Sequence, residues 1–138
     1  MFSHVFIGVT DFDRAYRFYA PLFQALGLPQ RFYDSAKPWA GWNSGGGARP
    51  LFVIGHPFDG QHHHPGNGQL IAFVADTRSR VDAVYAAAIA QGGNCARRHL
   101  CRAARPASAE PSQLLNYCGA YFRDLDGNKS CVACHSAE

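Results

Sequence analysis

Four stretches carry residue types that could do chemistry. His4 opens an apolar run and could ligate a metal or hydrogen-bond a substrate. His62-His63-His64 offers three imidazoles, Gly45-Gly46-Gly47 the glycines of a phosphate cradle, and Cys131-Val132-Ala133-Cys134-His135 the spacing of c-type haem attachment. Three of the four lose force on inspection. Adjacent histidines on an irregular backbone point in different directions, whereas metal sites draw ligands from spaced positions, so the triplet reads as exposed loop histidines. The glycine triplet lacks the Gly-Lys-Ser/Thr ending and leads into a strand, so it reads as a turn. The Cys-x-x-Cys-His run continues a strand, with no basic and apolar leader ahead of His4 to suggest export. Alternation puts Cys131, Ala133 and His135 on one strand face and Cys134 on the other, and neither thiol stands at a helix N-terminus where its pKa would fall.

The elements that must position these residues follow from hydrophobic period. His4 to Val9 reads as a strand. Phe12, Ala15, Tyr16, Tyr19, Leu22, Phe23 and Leu26 then recur at helical spacing, with Thr10 or Asp11 as the N-cap and Gly27 as a left-handed C-terminal cap. Three strands follow, Pro29 to Tyr33, Ala40 to Asn43 and Pro50 to Gly55. The plan recurs at an offset of 66 (70 − 4 = 66), which places His4 on Leu70, Tyr19 on Tyr85 and Gly27 on Gly93. This second unit has a strand at Gln69 to Ala75 and a helix from Arg78 to Ala90 with Val81, Val84, Tyr85, Ala88 and Ile89 inward. Residues 94–116, rich in Arg, Ala, Ser and Pro, read as a loop or lid. Asp124 to Asn128 between two apolar runs, Tyr117 to Arg123 and Lys129 to His135, predicts a hairpin.

At 138 residues and 47% hydrophobic content, the chain suits one domain, 1–138, with module one at about 1–57 and module two at about 67–138. The formal charge of +3 is set by 13 basic and 10 acidic residues, with nearly half of the basic ones between Arg78 and Arg105. That is not the broad basic face of a nucleic-acid binder, and no run approaches membrane-spanning length. The reading is a cytoplasmic protein with no nucleic-acid or membrane partner. Its five cysteines, odd in number and bunched late in the chain, are expected as free thiols.

The His-led first strand, the helix Asp-x-x-Arg-Ala-x-x-Phe-Tyr-x-x-x-Phe-x-x-Leu-Gly and the hairpin Ala-Tyr-Phe-Arg-Asp-Leu-Asp-Gly-Asn-Lys together resemble the vicinal oxygen chelate superfamily. That group holds glyoxalases, bleomycin-resistance proteins and extradiol dioxygenases. The resemblance implies an α+β fold of paired βαβββ modules around a shared cavity, often as a homodimer. It also implies a divalent metal held by His or Glu on the first and fourth strands of the modules. Carried over position by position, those places fall on His4, on Leu70 and on Cys131, where the family has Glu. Residues 94–116 depart from the family pattern. Residues 109–115 can be encoded so that a one-base shift reads Leu-Asn-His-Pro-Asn-Tyr, closer to that pattern.

With one ligand kept and a thiol in place of another, the expectation is a degenerate metal site, His4 and Cys131, and either no cofactor or a divalent metal ion. The leading function is binding of a small organic molecule, with Trp42, Tyr121, Arg123 and His135 as ligand-binding candidates and Trp39, Phe52 and Phe73 as further aromatic walls. The alternatives are a metal-dependent lyase or dioxygenase and a non-catalytic homodimeric scaffold.

Overall fold

Each half of the chain switches from strand period to helix period and back, and folds accordingly. In the first half, β1 (His4–Gly8) leads into α1 (Phe12–Leu26), then β2 (Gln30–Asp34), β3 (Trp39–Asn43) and β4 (Leu51–Gly55). The second half repeats this with β5 (Ile71–Ala75), α2 (Arg78–Ala90), β6 (Asn94–Cys101), β7 (Cys118–Arg123) and β8 (Lys129–Cys134). The structure, a computed structural model, describes residues 2–101 and 116–136, with the side chains of 97–101 left out of the description. Residues 109–115, which carry the reading-frame alternative, lie outside it.

The fold is α+β, two βαβββ modules each with a mixed four-stranded sheet. The strand orders are β1-β4-β3-β2 and β5-β8-β7-β6. In each sheet the first strand runs parallel to the last of its module, His4 beside Leu51 and Ala72 beside Cys131. No helix among the described residues is long and apolar enough to cross a membrane.

Both helices start on a side-chain cap. The Asp11 carboxylate accepts the Arg14 N–H at 2.9 Å, and the Thr77 hydroxyl accepts that of Arg80 at 3.2 Å. Gly27 ends α1 at φ 71°, a left-handed conformation that favours glycine, and Leu28 N–H returns to Phe23 O at 2.9 Å. After α2 the left-handed residue is Gly92 at φ 89°, one position before the Gly93 that the offset of 66 selects. The second helix, at 13 residues against 15, stops sooner.

The core lies between the helices and one face of each sheet. Phe18, Tyr19, Leu22 and Phe23 of α1 pack with Phe52 and Ile54 of β4, and Val81, Val84 and Ala88 of α2 with Phe122 and Val132. Burying a side chain of this size contributes about 1.5–3 kcal/mol relative to leaving it exposed. The modules meet in this layer, because Phe23 touches Phe73 edge-on at 5.3 Å and Phe52 touches it at 5.2 Å. Ile89, expected inward, is 39% exposed: it follows the wholly buried Ala88, and the helix has turned past its sheet there.

A buried polar network ties the closing hairpin to the first module. Asp124, 3% exposed, accepts the Tyr19 hydroxyl at 2.7 Å and the Asn128 side-chain amide at 2.8 Å on one oxygen. Its other oxygen accepts the N–H groups of Asp126 and Asn128 at 2.9 and 2.8 Å, and the Asn128 amide also donates to Gly8 O at 3.2 Å. Arg14 pairs with Asp126 at 3.3 Å. Burial first, then the facing Asp124 carboxylate, push the Tyr19 phenol well above its ordinary value.

Two sequence expectations are corrected here. Residues 94–101, read as a loop or lid, form β6, because the outer edge of β7 needs a partner for its N–H and C=O groups. Its register against β7 shifts twice, which is why no alternation shows in the sequence. Cys118, read as a free thiol, is disulfide-bonded, and Cys101 stands opposite it in the backbone register; Cys95, Cys131 and Cys134 are free.

Candidate ligand-binding site

Alternation along β1 turns Val5 and Ile7 toward the helices and leaves His4, Phe6 and Gly8 on the helix-free face. The parallel register carries the same division onto β4, where Phe52 and Ile54 face the core and Leu51, Val53 and Gly55 share the face of His4. Across the next pairing Trp39 sits beside Gly55 and Gly41 beside Val53, so Trp39 joins the open face while Ala40 and Trp42 join the core.

Glycines on this face let rings lie against the sheet. A Cβ added to Gly55 would come within 3.1 Å of the Phe6 ring, and one on Gly41 would collide with the Phe32 ring, itself 4.7 Å from that of Trp39. Gly8 lies under His63 and Gly119, on the second sheet, under Tyr117.

The open face of the first module therefore holds an aromatic cavity of about 610 Å³. Its floor and walls are Phe6, Gly55, Trp39 and Pro38, with Phe58 at the mouth and His4, Lys37 and His56 around the rim. Phe6 and Trp39 remain 45% and 43% exposed, and Phe58 is wholly exposed. The turn that presents Lys37 is held by Asp34, whose carboxylate accepts the N–H groups of Ala36 and Lys37 at 2.9 and 3.1 Å. A neighbouring cavity of about 550 Å³ shares Phe6 and Phe58 and is edged by the three loop histidines.

The same face of the second sheet has a different character. Tyr117 folds back so that its hydroxyl meets that of Tyr121 at 2.7 Å and Cys131 Sγ at 3.5 Å, while its ring meets that of His135 at 5.4 Å. Lys129 stands over the Tyr121 ring at 5.9 Å. Cys131 is 1% exposed, and burial pushes its thiol pKa up against the opposing pull of the tyrosine hydroxyls and Lys129. Burial likewise raises the Tyr117 phenol, helped by its bonds to Tyr121 and Cys131.

The sequence candidates thus fall in four places. His4 is on the first cavity's rim, and Tyr121, Cys131 and His135 gather round Tyr117 on the other sheet. Arg123 braces the hairpin, donating to Gly127 O at 2.6 Å. Trp42 is corrected: it is 2% exposed on the core side, stacked on Phe23 at 4.7 Å and Tyr16 at 5.9 Å. Phe52 and Phe73 are core as well, whereas Trp39 is a cavity wall. Phe6, Phe58, Lys37 and Tyr117 escaped the sequence reading. Phe6 alone carried a signal, its place two residues after His4 on the same strand face.

The divalent metal that the resemblance implies does not fit these residues. The described residues contain no group of three or more His, Cys, Asp or Glu that could hold a metal ion. Cys131 Sγ already meets the Tyr117 hydroxyl at 3.5 Å, and the partners of His4 on its face of β4 are Leu51 and Val53, which carry no donor. Elemental analysis of untagged protein, after incubation with nickel, zinc, iron or manganese, is expected to return metal well below one ion per chain. A stoichiometric ion lost in His4→Ala would reverse that conclusion.

The sequence model of the Glyoxalase/Bleomycin resistance protein/Dioxygenase superfamily matches residues 1–132. Among solved structures, a glyoxalase/bleomycin resistance protein from Albidiferax ferrireducens T118 is similar at 32% identity and a TM-score of 0.76, covering 97% of this chain and 98% of its own. A glyoxalase-related enzyme from Fulvimarina pelagi follows at 18% identity and 0.68, covering 97% and 87%. A superfamily enzyme from Burkholderia phytofirmans PsJN shares 18% identity at 0.62, covering 97% and 98%. At 18% identity these last two speak for the fold alone. No curated protein matches the chain.

Proposed function

Because the chain belongs to the glyoxalase/bleomycin resistance protein/dioxygenase superfamily, and its donor set does not suit the metal of that group, we propose that it binds a small organic molecule without a metal. The observation that carries this reading is the aromatic cavity on the open face of the first module. Rings lying over glycines present flat π surfaces to a guest, and a volume of about 610 Å³ is within the range of small-molecule pockets. Half-exposed aromatics on a sheet face are a standing hydrophobic cost that a bound ring would relieve.

Binding proceeds by desolvation and stacking. A planar guest slides between Trp39 and the Phe6 and Phe58 rings and expels water from them, while His4 and His56 offer hydrogen bonds to polar substituents at the rim. A thermal-shift screen of small planar aromatics is expected to yield ligands that raise the melting temperature in proportion to ln(1 + [L]/Kd). Trp39→Ala is expected to weaken the best of them at least about tenfold, since removal of a central aromatic contact costs about 2 kcal/mol or more. Trp39 is surface-exposed, so the variant should keep its fold, checked by its unliganded melting temperature. Unchanged affinity in Trp39→Ala would exclude this cavity as the binding site.

A further inference from the structure

We propose that this cavity selects planar aromatic anions, with Lys37 as the charge that reads them; the inference rests on the binding reading above. The cavity wall is sorted by chemistry. Its body is the aromatic and proline surface of Phe6, Trp39, Phe58 and Pro38, and no carboxylate lines it among the described residues. Lys37 supplies the cation at the rim. Its ammonium makes no ion pair among the described residues, and Asp34 Oδ1, in the same turn, accepts the backbone N–H groups of Ala36 and Lys37 itself.

That arrangement fixes where the lysine is without an ion pair to its ammonium. Asp34 shapes the turn, and the turn delivers Lys37 beside Pro38 and Trp39. A ring stacked on Trp39 with a carboxylate at its outer edge would meet the ammonium at the rim, with the imidazoles of His4 and His56 as further donors. A cationic substituent in the same place would be repelled by Lys37 and find no carboxylate in the lining. Because Lys37 is exposed, the preference is modest and salt-dependent: one charge pair at about 4 Å in a water-like dielectric corresponds to about fivefold in affinity.

The test compares three ligands with one ring system, naphthalene carboxylate, naphthol and naphthylmethylammonium, by calorimetry on the wild-type chain, Lys37→Met, Lys37→Arg and Trp39→Ala. In the wild type the carboxylate is expected to bind about fivefold tighter than naphthol and the ammonium weakest. The preference should vanish as salt rises from about 0.01 M to about 1 M, where the Debye length falls from about 30 to about 3 Å. Lys37→Met should bring carboxylate and naphthol to within about twofold of each other, and Lys37→Arg should keep them apart. Equal binding of all three by the wild type, or a carboxylate preference that survives Lys37→Met, would overturn the anion selectivity while leaving an aromatic site standing. No binding of any of the three would overturn both.

Discussion

Asp124→Ala is expected to remove about 4 kcal/mol of folding stability, read as a fall in the urea midpoint at unchanged slope. The side chain is 3% exposed and accepts four hydrogen bonds, from the Tyr19 hydroxyl, the Asn128 amide and two backbone N–H groups of the turn. Truncation leaves all four donors without that acceptor, two of them on buried side chains, and each buried orphan costs about 1–3 kcal/mol. Against a typical total of about 5–15 kcal/mol, the variant would be marginal. Tyr19→Phe removes one donor and leaves the carboxylate its other three, so about 1 kcal/mol is expected there. Tyr19 also contributes to the alkaline limb of the stability curve, beside Tyr117 and Cys131, which burial raises as well. The Tyr19 phenol is raised in the folded state, so its contribution is complete below about pH 10 and is lost above it, as unfolded chains ionise first. Tyr19→Phe should flatten that limb. An Asp124→Ala midpoint indistinguishable from the wild type would refute the network's role.

Phe23→Ala is expected to cost a similar amount, about 3–5 kcal/mol, for a different reason. Phe23 is 1% exposed and stands where the modules join, stacked on Trp42 at 4.7 Å, against Phe52 at 5.0 Å and edge-on to Phe73 of β5 at 5.3 Å. Removing the ring opens a cavity bounded by these three aromatics and by Tyr19, whose ring is 6.1 Å away; they hold one another in place and so close it poorly. Phe23→Leu keeps most of the volume and should cost under half as much. Urea unfolding followed by Trp fluorescence reads this directly, because Trp42 touches the deleted ring. A Phe23→Ala loss below about 1 kcal/mol would mean that the seam repacks and that the modules do not depend on it.

Local order was legible wherever period and punctuation agreed. The helix Arg78 to Ala90, a cap at Thr10 or Asp11 that is Asp11 in the structure, the Gly27 stop and the Asp124 to Asn128 turn are each encoded by a few adjacent residues, and the offset of 66 exposed the two-module plan. The faces were harder to read. Trp39 and Trp42 are three apart in one strand, so alternation puts them on opposite faces but does not say which faces the helices. That sign is set by the pairing of β3 with β4, a long-range fact, and the choice of Trp42 as a cavity residue failed there. Lys37 looked like turn filler because its function depends on where the turn lands. Tyr117 reaches Cys131 only by folding back over Gly119, which no pattern of spacing shows.

The rings seated over Gly8, Gly41, Gly55 and Gly119 also bear on how such a surface can diverge. The open face is a pavement whose height is set by carbons that are missing beneath it. Restoring a methyl at Gly41, which does not line the cavity, would displace the Phe32 ring that lies against Trp39 and reshape the space above, although no atom touching a guest had been exchanged. A lineage could thus retune what it accepts from underneath the floor, through positions that a comparison of contact residues would pass over.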